Sequence, residues 1–465
     1  PVLPGFCSTE LQNILEHAEV KVIFVSRLLA KCLEGVKTPF LKHKILINNF
    51  STIPEGCYQP EELDKLVPDI SLNNTTPLPE VSIEEEDIAS IIYTSGTTGF
   101  SKGVVLTHKN LVWDARQCHT IQPVDETYRF LSILPMAHTY ENTLGLLLPL
   151  MYGAQVYYLD RVPTPKLLVP AMQKIRPTVV LSVPLIIEKI YKSQVLPKFT
   201  GSKWMSKLYQ FAPARKLFNR LAGKKLMETF GGELKFFGIG GSKLDGTVEQ
   251  FLREAKFPYA IGYGLTETAP MAAGSNPSQT FLQGVGPVME GVQIKINDPD
   301  NSGQGEIWIK GPNVMKGYYK RPELTAETFT EDGWFKTGDL GSFDKKNRLA
   351  IRGRIKTMIL GASGENIYPE EIESIINNFR FVNESLVVEN SGKLVAMVHF
   401  NMEELEKQYQ RLKDQAGNYK EKINDYIEEQ KQELRDYVNA RVNNFSKLQL
   451  VLVQHEPFEK TPTHK

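Results

Sequence analysis

"YTSGTTGFSKGVVLTH", residues Tyr93 to His108, crowds hydroxyl side chains and glycines into one short run, adds a single cation at Lys102 and then turns apolar. The apolar "IASII" before it and "GVVLTH" after it read as structured elements, so the run is a loop delivered by a strand rather than a surface linker. Glycine leaves backbone N–H groups bare, and a concave array of such groups binds an anion. Thr94, Ser95, Thr97 and Thr98 would add hydroxyls, Gly96 and Gly99 unobstructed backbone, and Lys102 a point charge on the same oxygens. Phosphate is the anion that suits this chemistry. The spacing is not that of a Walker A loop, because Ser101 stands where the second glycine would be needed.

Outward from this loop, from Asp87 to about Ala269, apolar runs alternate with helical patterns. "IASIIYT", "RFLSILPM", "AQVYYLD", "PTVVLSVP", "LKFFGIGG" and "YAIGYG" read as strands, with helices such as Thr164 to Lys174 and Lys243 to Ala255 between them. That alternation predicts an α/β fold with a buried, mostly parallel sheet flanked by helices, whose ligands sit beyond the carboxyl ends of the strands. From about Gly284 to Ile351 the strands shorten and Gly/Asp/Asn turns separate them, which predicts a small antiparallel β unit. After Lys356 the composition shifts again. "SLVVEN" and "KLVAMVHF" read as a hairpin, and Met402 to Val442 as one or two solvated helices, so a small α+β domain is expected over 356–465 after a large one over 1–355.

The length of 465 residues allows two or three compact domains, since single cores rarely exceed about 250–300 residues. Lys+Arg and Asp+Glu both number 54, so no global field favours nucleic acid. Cys7, Cys32, Cys57 and Cys118 are scattered and form no CxxC, which suggests neither a zinc site nor a disulfide framework and fits a cytoplasmic setting. The longest apolar stretches fall short of the about 20 residues a membrane span requires. The N-terminus shows no basic flank with an apolar core behind it and reads as the middle of a domain, so an earlier segment is expected to be missing, and "FEKTPTHK" stops as abruptly.

Further runs carry chemistry. In "IGYGLTETAP", Gly262 and Gly264 bracket Tyr263, whose face could stack on a purine or simply pack in the core. Thr266 offers a hydroxyl to phosphate. Glu267 is either a hard oxygen ligand for Mg²⁺ or a helix-start carboxylate. In "GWFKTGDLG", Asp339 could accept both hydroxyls of a ribose or serve as a turn residue, and Arg354 supplies a fork of donors to ribose or phosphate. Gly240, Gly241 and Ser242 in "FFGIGGSKL" form either a backbone platform or an ordinary strand-to-helix turn. His138, between a strand end and an apolar helix in "LPMAHTYENTLG", would by default be structural.

Taken together, "YTSGTTGFSKG", "IGYGLTETAP", "GWFKTGDLG", "RGRIKTMILGASGENIYPEEIE" and "KTPTHK" resemble, in order, the motifs of the adenylate-forming superfamily of acyl-CoA synthetases, luciferases and adenylation domains. The Pro135-x-x-His138-x-x-Glu141 run is similar to that of its long-chain fatty acyl branch, bacterial long-chain fatty acid:CoA ligases above all. The resemblance implies ATP, Mg²⁺ and coenzyme A as ligands, with a long-chain fatty acid activated to an acyl-adenylate. It implies adenine contacts at Tyr263 and the Gly240–Gly241–Ser242 platform, where Ile239 replaces the branch's usual serine. Ribose contacts at Asp339 and Arg354, metal and phosphate contacts at Glu267 and Thr266, and a catalytic lysine at Lys465 are also implied. His138 would neighbour the activated carboxylate, "ENTLGLLLPLMYGA" would line an acyl tunnel, and the small domain would swing about a hinge near Lys356. A lysine-rich stretch before the glycine platform has a basic amphipathic character suited to an anionic lipid surface, a peripheral contact at the inner membrane face. An acyl-carrier-protein ligase shares the same motifs, and a catalytically silent nucleotide and fatty-acid binding protein is the alternative from another class. The oligomeric state is left open.

Overall fold

The computed structural model describes residues 1–67, 80–94, 101–159, 161, 163–200, 202–360, 366–390, 392–406 and 419–458. Ser95, Gly96, Thr97, Thr98, Gly99 and Lys465 lie outside the described residues, as do residues 407–418 of the Met402 to Val442 stretch. A six-stranded sheet forms the middle of the molecule. Its order is Ala273–Gly274, Tyr259–Tyr263, Phe236–Ile239, Val179–Ser182, Arg129–Ser132 and Gln155–Tyr158, all parallel except the Ala273–Gly274 edge. Its central strands show no alternation because both faces are covered, and all four residues of Val179–Ser182 are buried. Helices Pro165–Ile175, Pro184–Ile190, Ala212–Thr229 and Gly246–Glu254 join successive strands, as parallel pairing requires. The sheet's two faces belong to two hydrophobic clusters, one around Phe230, Phe237, Phe251 and Tyr259, the other around Phe130, Leu144, Val179 and Tyr263.

The run "IASIIYT" departs from expectation. Its strand Ile88–Thr94 is not in the parallel sheet; it pairs antiparallel with Lys102–Thr107, Thr94 facing Lys102, and Gly317–Tyr318 adds a third antiparallel strand. Seven residues, 95–101, separate the first two strands, far fewer than the dozen or so that a parallel crossover takes. The strands on either side of the glycine-rich run thus pair with each other antiparallel, unlike the strand-then-helix order around a P-loop. The helix begins one strand later: His108–Ile121 is capped by Thr107, whose Oγ1 accepts from the Asn110 N–H at 3.2 Å while Asn110 Oδ1 accepts from the Thr107 N–H at 2.9 Å. Asn110 Nδ2 also donates to the carbonyls of Pro312 and Val314, tying that helix to the approach to Tyr318.

The expected antiparallel unit is a four-stranded sheet, Gln293–Asn297, Gly305–Lys310, Phe335–Phe343 and Leu349–Arg354. Beyond it, Val382–Asn390 and Lys393–Phe400 form the expected hairpin, joined by Leu450–Val453 parallel to the second strand. Helices Pro369–Asn377 and Tyr419–Asn439 cover that sheet, with Ile372, Ile376, Leu434 and Val438 in a core of its own. Helix Pro369–Asn377 also meets the large body: Ser374 Oγ donates to Asp245 Oδ2 at 3.1 Å, Asn378 Nδ2 donates to the same oxygen, and Lys192 Nζ donates to the Asn377 carbonyl. Among the described residues, no helix is long and apolar enough to cross a membrane.

Candidate active site

Where the parallel strands end at their carboxyl termini, a cavity of about 960 Å³ opens. Its polar half is built from three directions. The hairpin supplies Thr94, Ser101 and Lys102; the strands Phe236–Ile239 and Tyr259–Tyr263 run into Gly240, Gly241, Gly262, Tyr263, Gly264, Thr266 and Glu267; the antiparallel unit adds Thr337, Gly338 and Arg354. A side chain at Gly264 is excluded by its own turn, because a Cβ there would lie 1.7 Å from the Pro270 carbonyl oxygen. Of the residues expected from the sequence to share one ligand, Thr94, Lys102, His138, Gly240, Gly241, Gly262, Tyr263, Gly264, Thr266, Glu267 and Arg354 line this cavity, and Asp339 and Ser242 do not.

The acidic end is a closed triad of contacts. Tyr318 Oη donates to Glu267 Oε1 at 2.8 Å, Lys102 Nζ donates to Tyr318 Oη at 3.1 Å, and Lys102 Nζ lies 3.7 Å from Glu267 Oε1. The ammonium also stands 4.6 Å from the centre of the Tyr318 ring. Burial beside the Glu267 charge pushes the Tyr318 phenol well above its ordinary range, so it stays a donor. Tyr318 went unnoticed in the sequence, which gives no local signal for it: the strand that carries it is placed only by pairing, Tyr318 opposite Val104.

Asp339 is 5% exposed and does not line the cavity. Its Oδ2 accepts from Tyr263 Oη at 2.9 Å and its Oδ1 pairs with Arg354 Nε at 2.9 Å, so it stands one layer behind the wall. Desolvation and the Asp339 charge raise the Tyr263 phenol far above its usual value. Glu306 holds the adjoining turn, accepting from the Gly338 N–H at 3.0 Å and from Trp308 Nε1 at 2.7 Å. Ser242 is exposed and off the cavity wall, whereas Ile239, Gly240 and Gly241 are on it.

The cavity continues into an apolar half lined by Val124, Phe130, Leu144, Leu148, Val179 and Phe236. His138 lines the same cavity; its Nδ1 accepts from the Tyr140 N–H at 3.2 Å, which leaves Nε2 to carry the proton of the neutral ring. Beside it, residues Glu141–Leu147 form a π-helix, a rare insertion of extra backbone that often accompanies functional sites. Glu141, 2% exposed, accepts from the Ser132 hydroxyl through Oε1, while Oε2 has no hydrogen-bond partner among the described residues. Burial raises its carboxyl to about 7. No cluster of three or more His, Cys, Asp or Glu gathers among the described residues.

A mostly parallel sheet whose carboxyl ends open on one cavity, polar around Lys102, Tyr318 and Glu267 and apolar beyond, is the arrangement in which α/β enzymes hold their ligands. The chain belongs to the AMP-binding enzyme family, whose model matches residues 1–319. It is 32% identical over 337 residues to long-chain-fatty-acid–CoA ligase 1 of Saccharomyces cerevisiae, covering 66% of this chain and 47% of that protein. It is 32% identical over 409 residues to the long-chain-fatty-acid–CoA ligase heimdall of Drosophila melanogaster, covering 81% and 60%. The chain spans about half the length of several curated relatives it matches. Among solved structures, ATP-bound MatB from Rhodopseudomonas palustris superposes with a TM-score of 0.72 at 22% identity, covering 99% of this chain and 80% of that one. MenE from Bacillus subtilis with ATP and a magnesium ion gives 0.70 at 22%, covering 99% and 81%. The architecture is that of adenylate-forming enzymes: an α/β body with a small further unit.

Proposed function

We propose that the protein activates a long-chain fatty acid with ATP, giving an acyl-adenylate and pyrophosphate, and then passes the acyl group to coenzyme A with release of AMP. The observation that carries the reading is the single cavity whose nucleotide-type polar half opens into an apolar chamber, in a family whose similar members include fatty acid:CoA ligases. A carboxylate is a poor electrophile, and conversion to a mixed anhydride with AMP supplies the leaving group. In the first step a carboxylate oxygen bonds to the α-phosphorus while the bond to the pyrophosphate oxygen breaks. In the second, the thiolate bonds to the acyl carbon and AMP leaves.

The chain's own residues take the following parts in this reading. Tyr263 and the Gly240–Gly241 backbone bracket the adenine, and Arg354 holds the ribose, positioned by Asp339; Ser242 and Asp339, off the wall, are not given a direct contact. The 95–99 loop, Thr94, Thr266 and Lys102 hold phosphate oxygens. Glu267 fits a magnesium ion, being a hard carboxylate held in one orientation by Tyr318; one such ligand plus phosphates and waters is the usual magnesium shell. The ion would neutralise phosphate charge. His138, which lines the cavity, would neighbour the activated carboxylate, and Lys465 would neutralise charge as pyrophosphate departs. Residues 356–465 would act as a mobile unit about a hinge at Lys356, presenting Lys465 in one pose and the coenzyme A channel in the other.

The test is palmitate-dependent exchange of labelled pyrophosphate into ATP, followed by thioester formation with coenzyme A. Exchange and thioester together are expected. Exchange that ignores fatty acids would overturn the acyl assignment. Transfer to an acyl carrier protein and not to coenzyme A would favour the second reading, to which similarity with a chloroplast fatty acid:acyl-carrier-protein ligase of Arabidopsis thaliana also points.

A further inference from the structure

On the cavity wall, Lys102 lies 3.7 Å from Glu267 and Arg354 lies 2.9 Å from Asp339, so each of these cations already faces a carboxylate. Lys336, on the same wall, donates to the Glu327 carbonyl at 3.1 Å. Arg321 also lines this wall, and it has no carboxylate within ion-pair distance among the described residues. Its chain neighbour Lys320 is turned away, donating to Glu19 at 2.5 Å.

The backbone fixes where Arg321 stands. Tyr318 pairs with Val104 and the Tyr319 N–H donates to the Gly103 carbonyl at 2.8 Å, so the chain runs along its partner strand toward Lys102 before it turns. At that turn the Arg321 N–H donates to the Tyr318 carbonyl at 3.1 Å. Thr325 Oγ1 accepts from the Tyr318 N–H and donates to the Arg321 carbonyl, both at 2.9 Å. Arg321 is thus tied to the same tyrosine that orients Glu267. Its charge is also felt at the strand Ile88–Thr94: burial first, then the Arg321 and Lys320 charges, push His17 below its ordinary range, and His17 Nδ1 lies 2.7 Å from the hydroxyl of Tyr93, the residue before Thr94.

A guanidinium offers a planar fork of donors that matches two oxygens of one phosphate group, whereas an ammonium acts as a point charge. Glu323 and Glu327 share this wall, so an anion here would be held by that fork rather than by net charge. We propose that Arg321 binds the outer two phosphates of ATP, beyond Lys102, and so sets the preference of the site for the triphosphate over the monophosphate. The inference rests on the nucleotide reading given above and divides its labour: Tyr263 and Arg354 hold the end that stays, and Arg321 holds the end that departs as pyrophosphate. Charge gathers on that end as its bond to the α-phosphorus breaks, where a fixed cation is most effective.

Calorimetric titration of the full chain with ATP, AMP, pyrophosphate and coenzyme A, each in the presence of magnesium, would compare wild type with Arg321→Gln and Arg321→Lys. The glutamine variant should bind ATP and pyrophosphate more weakly by on the order of thirtyfold while holding AMP and coenzyme A within about twofold of wild type. The lysine variant, which keeps the charge and loses the fork, should recover part of that loss, and both should melt as wild type does. In pyrophosphate exchange the glutamine variant should raise the KM for pyrophosphate and leave that for the acid unchanged. Undiminished ATP binding by the glutamine variant, equal losses for ATP and AMP, or a loss confined to coenzyme A, whose diphosphate offers the same chemistry, would overturn the proposal and leave the nucleotide reading standing. A wild-type chain that bound neither ATP nor AMP would overturn both.

Discussion

At the residue scale, the orientation of Glu267 depends on one phenol. Removing it with Tyr318→Phe keeps the ring and its strand pairing, and deletes the 2.8 Å hydrogen bond to the carboxylate together with the 3.1 Å bond that the hydroxyl accepts from Lys102. A hydrogen bond to a charged group contributes roughly 1.5–3 kcal/mol, so the proposed reaction should lose about tenfold or more in kcat/KM for ATP. The magnesium concentration giving half-maximal pyrophosphate exchange should rise, with the melting temperature nearly unchanged. Lys102, Tyr263 and Glu267 were legible in the sequence because each sits in a glycine-bracketed run where bulk is otherwise avoided. Tyr318 was not, since 51 residues separate it from Glu267 and only the fold joins them.

Glu141 makes a second prediction at this scale. Its carboxyl titrates at about 7 in the folded protein against an ordinary value of 4.5. Below the ordinary value both states are protonated and the residue is neutral toward folding. As pH rises, the unfolded chain ionises first, so the penalty grows between about 4.5 and 7 and is then constant, reaching about 3 kcal/mol. Glu141→Gln should therefore raise the melting temperature relative to wild type at pH 8 and change it little at pH 4.5. Equal gains at both pH values would contradict the assignment.

At the element scale, the π-helix at Glu141–Leu147 packs its own carboxyl against a glycine. A Cβ at Gly145 would fall 2.5 Å from the Glu141 carboxyl carbon, so Gly145→Ala should destabilise the protein by about 1–3 kcal/mol in urea melts. The same substitution in a Glu141→Ala background should cost less, because the obstructing carboxyl is gone. No sequence pattern announces such a helix: "ENTLGLLLPLM" reads as an ordinary apolar helix, and the extra backbone per turn is set by what packs around it. The hairpin is a related case. The apolar run "IASIIYT" looks the same in a parallel or an antiparallel sheet, and the seven residues before Lys102–Thr107 decide the matter only once the fold shows that strand to be its partner. The antiparallel unit at Gly284 to Ile351 and the "SLVVEN" hairpin were readable because short strands and turn residues specify their own neighbours.

At the scale of the whole molecule, the two hydrophobic clusters on the faces of the six-stranded sheet and the cavity at its carboxyl ends follow from a strand order that sequence alternation suggests and cannot number. The small unit has its own core and meets the large body through polar contacts at Asp245 and Lys192, the kind of interface that can part and reform. Lys356→Pro should leave adenylate formation within about threefold of wild type while lowering thioester formation by on the order of a hundredfold, read by exchange and by single-turnover transfer to coenzyme A. Equal loss in both steps would remove the hinge assignment.

The aspartate behind the wall has one more implication. Tyr263 reaches Asp339, Asp339 grips Arg354, and the proposed pivot at Lys356 begins two positions later. If residues 356–465 move as proposed, a ligand seated against that tyrosine would bear, through this carboxylate, on the segment from which the motion starts.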